Sequence, residues 1–407
     1  MATQRGFNSW FTADLPEETS YGTAQTIDST SFIEKCNGEP FELVAIMEDG
    51  TTLIGASAEE ATEQTIVAWE ARASREFRFR LNTLAMVAAY GMGNISHVAD
   101  EPSAGYYTHT ITPFPKTFLS AAYVTTPVPS TEVNVDDTGS FPATGTLIFE
   151  DDLEEWSYTS KTATAFDAAS LPSNNHADNV PVHLKFDTDT LVLPSMTAGG
   201  YFGGVTSQYP GVLVSSFTLR ASKKAFATIS TDLVGRGNYT SPAITKPTAI
   251  TDESYLKAGD CTITRVGTWD GRTFSGGTAI SAAVNSLEWT WNNNLDDTAD
   301  YVFGGGLYRG RGERTRRTQT VKLAVELEDL TYLGYLTGQT SVNLNVVFAG
   351  SASYSASLVF PQLKMVGTPI TGGTGILLTS ADAAVQQHAT YGSAQLTIVN
   401  KKSGYVH

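Results

Sequence analysis

Arginines at 309, 311, 314, 316 and 317, all within GGGLYRGRGERTRRTQT (residues 304–320), form the densest chemistry-bearing cluster in the sequence, with Glu313 the one acid among them. Guanidinium forks match phosphate and carboxylate geometry, so such a run suits either a nucleic-acid backbone or an acidic protein surface. Net charge decides between the two. With 42 acids against 26 bases and a formal charge of −16, the long-range field opposes a polyanion, whose binding depends on the charge of the whole surface as well as of one patch. The partner of Arg309, Arg311, Arg314, Arg316 and Arg317 is therefore expected to be protein.

Catalytic chemistry finds no constellation. His97, His109, His176, His183, His388 and His407 show no metal-ligand spacing, and the chain has no GxSxG elbow, HExxH or Walker lysine. The expectation is no enzyme activity, no cofactor and no metal. The acidic run Glu150-Asp151-Asp152-Leu153-Glu154-Glu155 offers oxygen ligands suited to calcium but lacks the spaced ligands and turn glycine of a calcium loop. It reads as a solvated face or a docking surface. Trp289 and Trp291 fall on one face of a strand; they could stack on bases or a sugar, but aromatic residues at period two read as core or subunit contact. Asn292-Asn293-Asn294 and Gly304-Gly305-Gly306 read as turn and hinge material around a long loop.

The elements that must position these residues are strands. The chain has 407 residues, 41% hydrophobic and 17% charged, with 36 glycines and only short apolar runs, which predicts a mainly β protein of two or three domains. Nothing approaches the ~18–20 apolar residues of a membrane span, and the N-terminal stretch lacks the apolar centre of a secretory signal. Folding in a cytoplasm is expected, with Cys36 and Cys261 as structural thiols.

Val321, Leu323, Val325 and Leu327 alternate with Lys322, Glu326 and Glu328, which predicts a strand with one buried face; Asp329 then opens a short helix closed by Gly338. Phe77, Phe79 and Leu81 begin the same order, with a helix from Asn82 to Gly91 or Gly93. An offset of 247 takes Asn82 to Asp329 and Phe41–Ala45 to Glu288–Asn292, which predicts an internal duplication. Later strands are predicted at Val342 to Phe348, Tyr354 to Val366 and Gln395 to Val399, with a small helix at Ser380 to Ala389 before the last. The first half has a strand at His109 to Thr112 and a hairpin turning at Lys223-Lys224. An alternative capping box at Ser57 and Glu60 would make 57–73 helical. The predicted organisation is an arm (1–40), a first domain (41–240) with an insert at about 125–200, a linker (241–254) and a second domain (255–407).

SSFTLRASKKAFATISTDLVGRG (215–237), NSLEWTWNNNL (285–295), the basic loop, TVKLAVELEDLTYLGYLTG and FPQLKMVG together resemble the tail tube proteins of long-tailed bacteriophages. The resemblance covers 284–400 well and 205–237 moderately; the first 200 positions enter through the repeat. It implies two tandem β-sandwich or barrel domains, each with a short flanking helix and a long inter-strand loop. Inner sheets would close with those of neighbouring chains into a ring, rings would stack into a tube, and DNA would pass without specific binding. A two-domain chain implies a ring of three with pseudo-six-fold symmetry. The other implied partners are tail proteins such as the tape measure, terminator and baseplate, and the implied location is the virion tail, assembled in the host cytoplasm. A decoration or baseplate protein, or an adhesin, is the competing reading, with recognition carried by the insert.

The loop equivalent to the arginine loop is residues 46–64, IMEDGTTLIGASAEEATEQ, which carries Glu48, Asp49, Glu59, Glu60 and Glu63 and no base. Opposite charges on equivalent loops predict contact between the first domain of one chain and the second of the next, and disfavour like-to-like association.

Overall fold

The computed structural model describes residues 9–14, 17–35, 41–49, 64–125, 132–168, 170–185, 193–248, 253–295, 301, 306–310, 314–327, 330–351, 354–371 and 377–405. In the first half, strands form at β1 (Glu42–Asp49), β2 (Gln64–Arg78), β3 (Tyr107–Thr112), β4 (Met196–Phe202), β5 (Val205–Ser222) and β6 (Thr228–Gly235), with helix α1 (Leu81–Met92) after β2. In the second half they form at β7 (Val284–Asn292), β8 (Thr318–Glu326), β9 (Ser341–Ser351), β10 (Tyr354–Gly367), β11 (Ile370–Thr371), β12 (Leu378–Val385) and β13 (Gln395–Asn400), with α2 (Thr331–Thr337) after β8. The protein is mainly β, as its alternating pattern requires, and the described strands close no barrel.

Strand registers define the repeat. The pair Glu42↔Arg72 maps onto Thr290↔Thr320, 248 positions on for both members, and Leu43↔Ala71 maps onto Trp291↔Gln319. In the same way Arg78↔Thr228 maps onto Glu326↔Leu378, so β6 and β12 are equivalent over their full lengths. Even the irregularities coincide. The ladder slips between Val214 and Ser216 in β5, and between Met365 and Gly367 in β10, 151 positions on. The offset of 247 read from the sequence is thus corrected by one residue. A one-residue slip exchanges the faces of a strand: 248 takes buried Phe77 to buried Val325, whereas 247 takes it to Ala324 on the opposite face.

Two other expectations change. Residues 378–385 are strand β12, not part of a helix at 380–389, because Thr379, Ala381 and Ala383 are buried in alternation with Ser380 and Asp382. Residues 64–73 belong to β2, which overrules a helix over 57–73 there; 57–63 lie outside the described residues. The insert also has different bounds. Its own hydrophobic core runs from Leu119 to Leu184 around Phe149, Phe166 and Val182, whereas 196–202 is β4 and pairs with β5.

The two helices differ in cover. Every residue of α1 is buried; Gly93 closes it with φ +97, donating its N–H to Ala89 O, a left-handed position that suits glycine. The Asn82 N–H in its first turn donates to the Glu253 carboxylate (2.9 Å), so the stretch read as linker supplies the anion that a helix N-terminus favours. Strands β10 and β13 of the second half pack against α1. In α2 only Tyr332 is buried; Leu333 (41%) and, just before the helix, Leu330 (63%) are exposed.

β3 of the first half pairs with β13 of the second, and buried His109 lies in that seam with its Nε2 2.9 Å from Lys402 O. Burial pushes His109 down to about 4, and burial likewise pushes His183 in the insert down to about 4. A histidine that stays neutral when folded favours folding above its unfolded value of about 6.5, and that contribution is lost as pH falls toward 4. His97 acts in the opposite direction, because its hydrogen bond with Asp137 raises it. The expected result is a stability falling from pH 6.5 to 4, on the order of 3 kcal/mol for each of the two buried histidines. Urea midpoints across that range test it: His109→Gln should flatten the slope, and a wild-type midpoint independent of pH would contradict the assignment.

Candidate functional site

The two halves are joined by backbone. The C-terminal half of β5 pairs antiparallel with β7 from Ser216↔Asn292 to Ser222↔Ser286, so the sheet of the first half runs into that of the second. Side chains reinforce the seam on both faces. On one, Phe217 meets Trp289 edge-on at 5.1 Å and stacks with Trp291 at 6.0 Å, both tryptophans fully buried. On the other, the Arg220 guanidinium lies 2.8 Å from Glu288 and the Thr218 and Thr290 hydroxyls are 3.2 Å apart. The tryptophans are therefore core at a junction between equivalent halves.

Asn293, read from sequence as turn material, is fully buried there. Its Nδ2 donates to Gly91 O at the end of α1 (2.8 Å) and to Val214 O (2.9 Å), while its Oδ1 accepts from Trp291 Nε1 (3.0 Å). One side chain thus satisfies two buried carbonyls and an indole, a role that the composition of an Asn triplet does not disclose.

The arginine segment separates into distinct roles. Arg309 is fully buried, its Nη2 3.4 Å from Glu70 on β2. The backbone around it docks on the same strand: Trp69 N–H donates to Leu307 O (2.7 Å), and Arg309 N–H donates to Arg236 O. Because β6 ends at Gly235, opposite Ala71, main-chain groups at Trp69 need other partners, and this loop supplies them. Arg309 is thereby corrected from a contact with a neighbouring chain to an ion pair within this one. Arg317 donates to Pro113 O (2.5 Å) and lies 5.5 Å over the Trp291 ring. Arg314 is buried and Arg316 is exposed.

Arg314, Arg316 and Arg317 line a cleft of about 1190 Å³ together with Lys185 of the insert, Gln319 and Glu17. Glu48 is exposed on β1; the Asp49 side chain, and Glu59, Glu60, Glu63 and Arg311 altogether, lie outside what is described. Among the described residues, no ion pair joins these arginines to the predicted acids, and Arg309 takes Glu70 instead.

The acidic run at 150–155 is not simply a solvated face. Glu150 is buried against Lys116 (3.0 Å), and Lys116 Nζ also donates to Gly271 O, fastening the insert to the second half. Burial pushes the Glu150 carboxyl up and the Lys116 amine down, each opposed by the other's charge. His176 stacks on Phe149 at 3.9 Å, with Nδ1 at Asp151 (3.0 Å) and Nε2 at Glu154 (3.0 Å). Asp151, Asp152 and His176 offer three ligand atoms within 4.8 Å of one another. The fold assembles this group across a separation that spacing rules cannot see.

A continuous sheet is thus shared by equivalent halves, with aromatic residues in the seam and Arg309 paired within the chain. The sequence matches the phage tail tube protein family over residues 104–391, well over half of the chain, and the protein belongs to that family. It is a structural component of the virion tail. No curated protein matches the chain. No helix among the described residues is long and apolar enough to cross a membrane.

Proposed function

We propose that three copies close into a ring with pseudo-six-fold symmetry, that rings stack into the tail tube, and that DNA leaves the virion through the channel. The observation that carries this reading is the β5–β7 pairing, which joins two equivalent units edge to edge in one sheet. A heterologous contact that repeats by rotation closes a ring. Electron micrographs of concentrated purified protein are expected to show annuli stacked into tubes of uniform diameter. Dispersed monomers under the same conditions would favour a decoration, baseplate or adhesin-type binding module instead.

The channel conducts DNA without gripping it. Net charge is −16, and Arg309 is paired with Glu70, so the long-range field opposes the counterion-release gain that the remaining clustered arginines could supply. Fluorescence anisotropy near physiological salt is expected to show no binding of duplex DNA at micromolar protein. A micromolar or tighter dissociation constant would return the arginine cluster to a nucleic-acid role.

The arginines of the cleft, Arg314, Arg316 and Arg317, fit Glu48, Asp49, Glu59, Glu60 and Glu63 of a neighbouring chain by sign of charge. One exposed pair is worth about 0–1 kcal/mol, so Arg316→Glu alone should leave tubes intact. Reversing Glu59, Glu60 and Glu63 together to arginine should leave folded protein that builds no tubes. Normal tubes from that triple variant would remove the pairing from the account.

A further inference from the structure

The geometry points to a specific closing interface: the edge formed by residues 367–371 of one copy pairs antiparallel with the start of β1 and the residue before it in a second copy, Gly367 opposite Val44 and Ile370 opposite Phe41, while α2 is covered by that second copy's outer strands. This rests on the ring reading above and gives its contact a register.

The repeat supplies the register. The described residues contain one complete junction, in which residues 216–222 of β5 meet β7. Shifting the β5 side by 151 and the β7 side back by 248 turns Ser216↔Asn292 into Gly367↔Val44, and Leu219↔Trp289 into Ile370↔Phe41. Both new edges are open among the described residues. Among the described residues β1 pairs only with β2. β9 leaves β10 after Lys364, and from Gly367 to Thr371 the ladder has β12 alone on one side. In the first half β4 likewise leaves β5 after Val212, and the freed part of β5 takes β7. The second half has made the same turn and, among the described residues, has no strand to take.

Main-chain chemistry agrees with a strand arriving there. Ser380 N–H donates to Pro369 O, so Pro369 turns toward β12. Main-chain groups alternate in direction along a strand, which leaves those of Thr368 and Ile370 pointing outward. The proline, which has no N–H, occupies a position where no outward donor is lost.

Exposed apolar residues gather on the same edges. Of 18 large apolar side chains exposed among the described residues, Leu43, Ile46, Met47 and Val67 are on β1 and β2. Leu330, Leu333, Val366, Ile370 and Leu377 are on α2 and along the β10–β12 edge. These two groups make up half of the total, more than a surface needs and what an incomplete interface leaves bare. The helices carry a matching observation: α1 is wholly buried, packed on β5 and β3 of its own half and also on β10 and β13 of the other, whereas Leu333 of α2 and Leu330 just before it are exposed. The counterpart of β10's first residues in the next copy is the start of β5, and there Phe202, Val205 and Tyr239 are exposed.

The test is covalent capture in the full-length chain, with Cys36 and Cys261 changed to serine and Val44→Cys combined with Gly367→Cys. A Cβ at Gly367 would meet nothing nearer than 3.8 Å, so the thiol fits without displacing a neighbour. Val44 and Gly367 would form a pair without mutual main-chain bonds, about 4.5 Å between Cα atoms, within disulfide range. Oxidation of assembled protein is expected to convert the single-chain band on a non-reducing gel into a covalent three-chain species. The slipped pair, Val44→Cys with Thr368→Cys, puts the thiols on opposite faces and should stay single-chain. Annuli that form without linkage by the first pair, or with equal linkage by the slipped pair, would overturn this interface and leave the ring reading standing. Wild-type protein that stays monomeric would overturn both. As a second arm without cysteines, Leu330→Glu with Leu333→Glu should give protein folded by circular dichroism and devoid of annuli; normal annuli would show that α2 is not covered.

Discussion

Trp289→Ala is expected to lower unfolding stability by about 3–5 kcal/mol, the range for removing a large buried aromatic side chain. Trp289 has no exposed surface and touches Phe217 across the junction, Trp291 on its own strand and Phe360 on β10. Its removal leaves a void bounded by strands of both halves, which cannot collapse without breaking the β5–β7 ladder. Trp289→Phe keeps most of the volume and should lose markedly less. Urea denaturation of both variants checks the order. A loss below about 1 kcal/mol for the alanine variant would mean that the seam is not a packed core.

Arg309→Met is expected to cost about 3 kcal/mol, at the lower end of the range for breaking a buried ion pair. The lower end applies because Glu70 keeps Arg72, whose Nε is 2.5 Å from its carboxylate and which is itself largely exposed. The loss should appear as unfolding and not as a selective failure of tube formation, because Arg309 holds the loop of one half on the β2 strand of the other. Combining it with Glu70→Gln tests the coupling. Costs that add within about 0.5 kcal/mol would show the two groups to be independent; a combined cost well below the sum is the expected result.

Both positions show what the sequence could and could not disclose. The alternation in 320–328, the hairpin turn at Lys223-Lys224 and the glycine ending α1 are local signals; the first corresponds to the strand Thr318–Glu326, and the other two fall where the turn and the helix end are found. The tryptophans were legible as core because period two places them on one face. Arg309 was not: an arginine among glycines reads as surface, and its partner Glu70 is 239 positions away. Asn293 and the Glu253 carboxylate at α1 were equally hidden, since a polar residue's burial depends on carbonyls and N–H groups that only the tertiary fold brings near. The repeat was legible but its phase was not. Side-chain pattern suggested 247, and only the hydrogen-bonded registers, which fix both members of each pair, require 248.

If the junction within the chain recurs between chains, the assembled ring must carry the matching rotational symmetry. End-on class averages of the tube from electron cryomicroscopy should show six lobes of density around the channel, alternating between two shapes, with true three-fold symmetry and the insert recurring three times at the periphery. Six identical lobes with the insert recurring six times, or a ring whose order is not a multiple of three, would contradict the account.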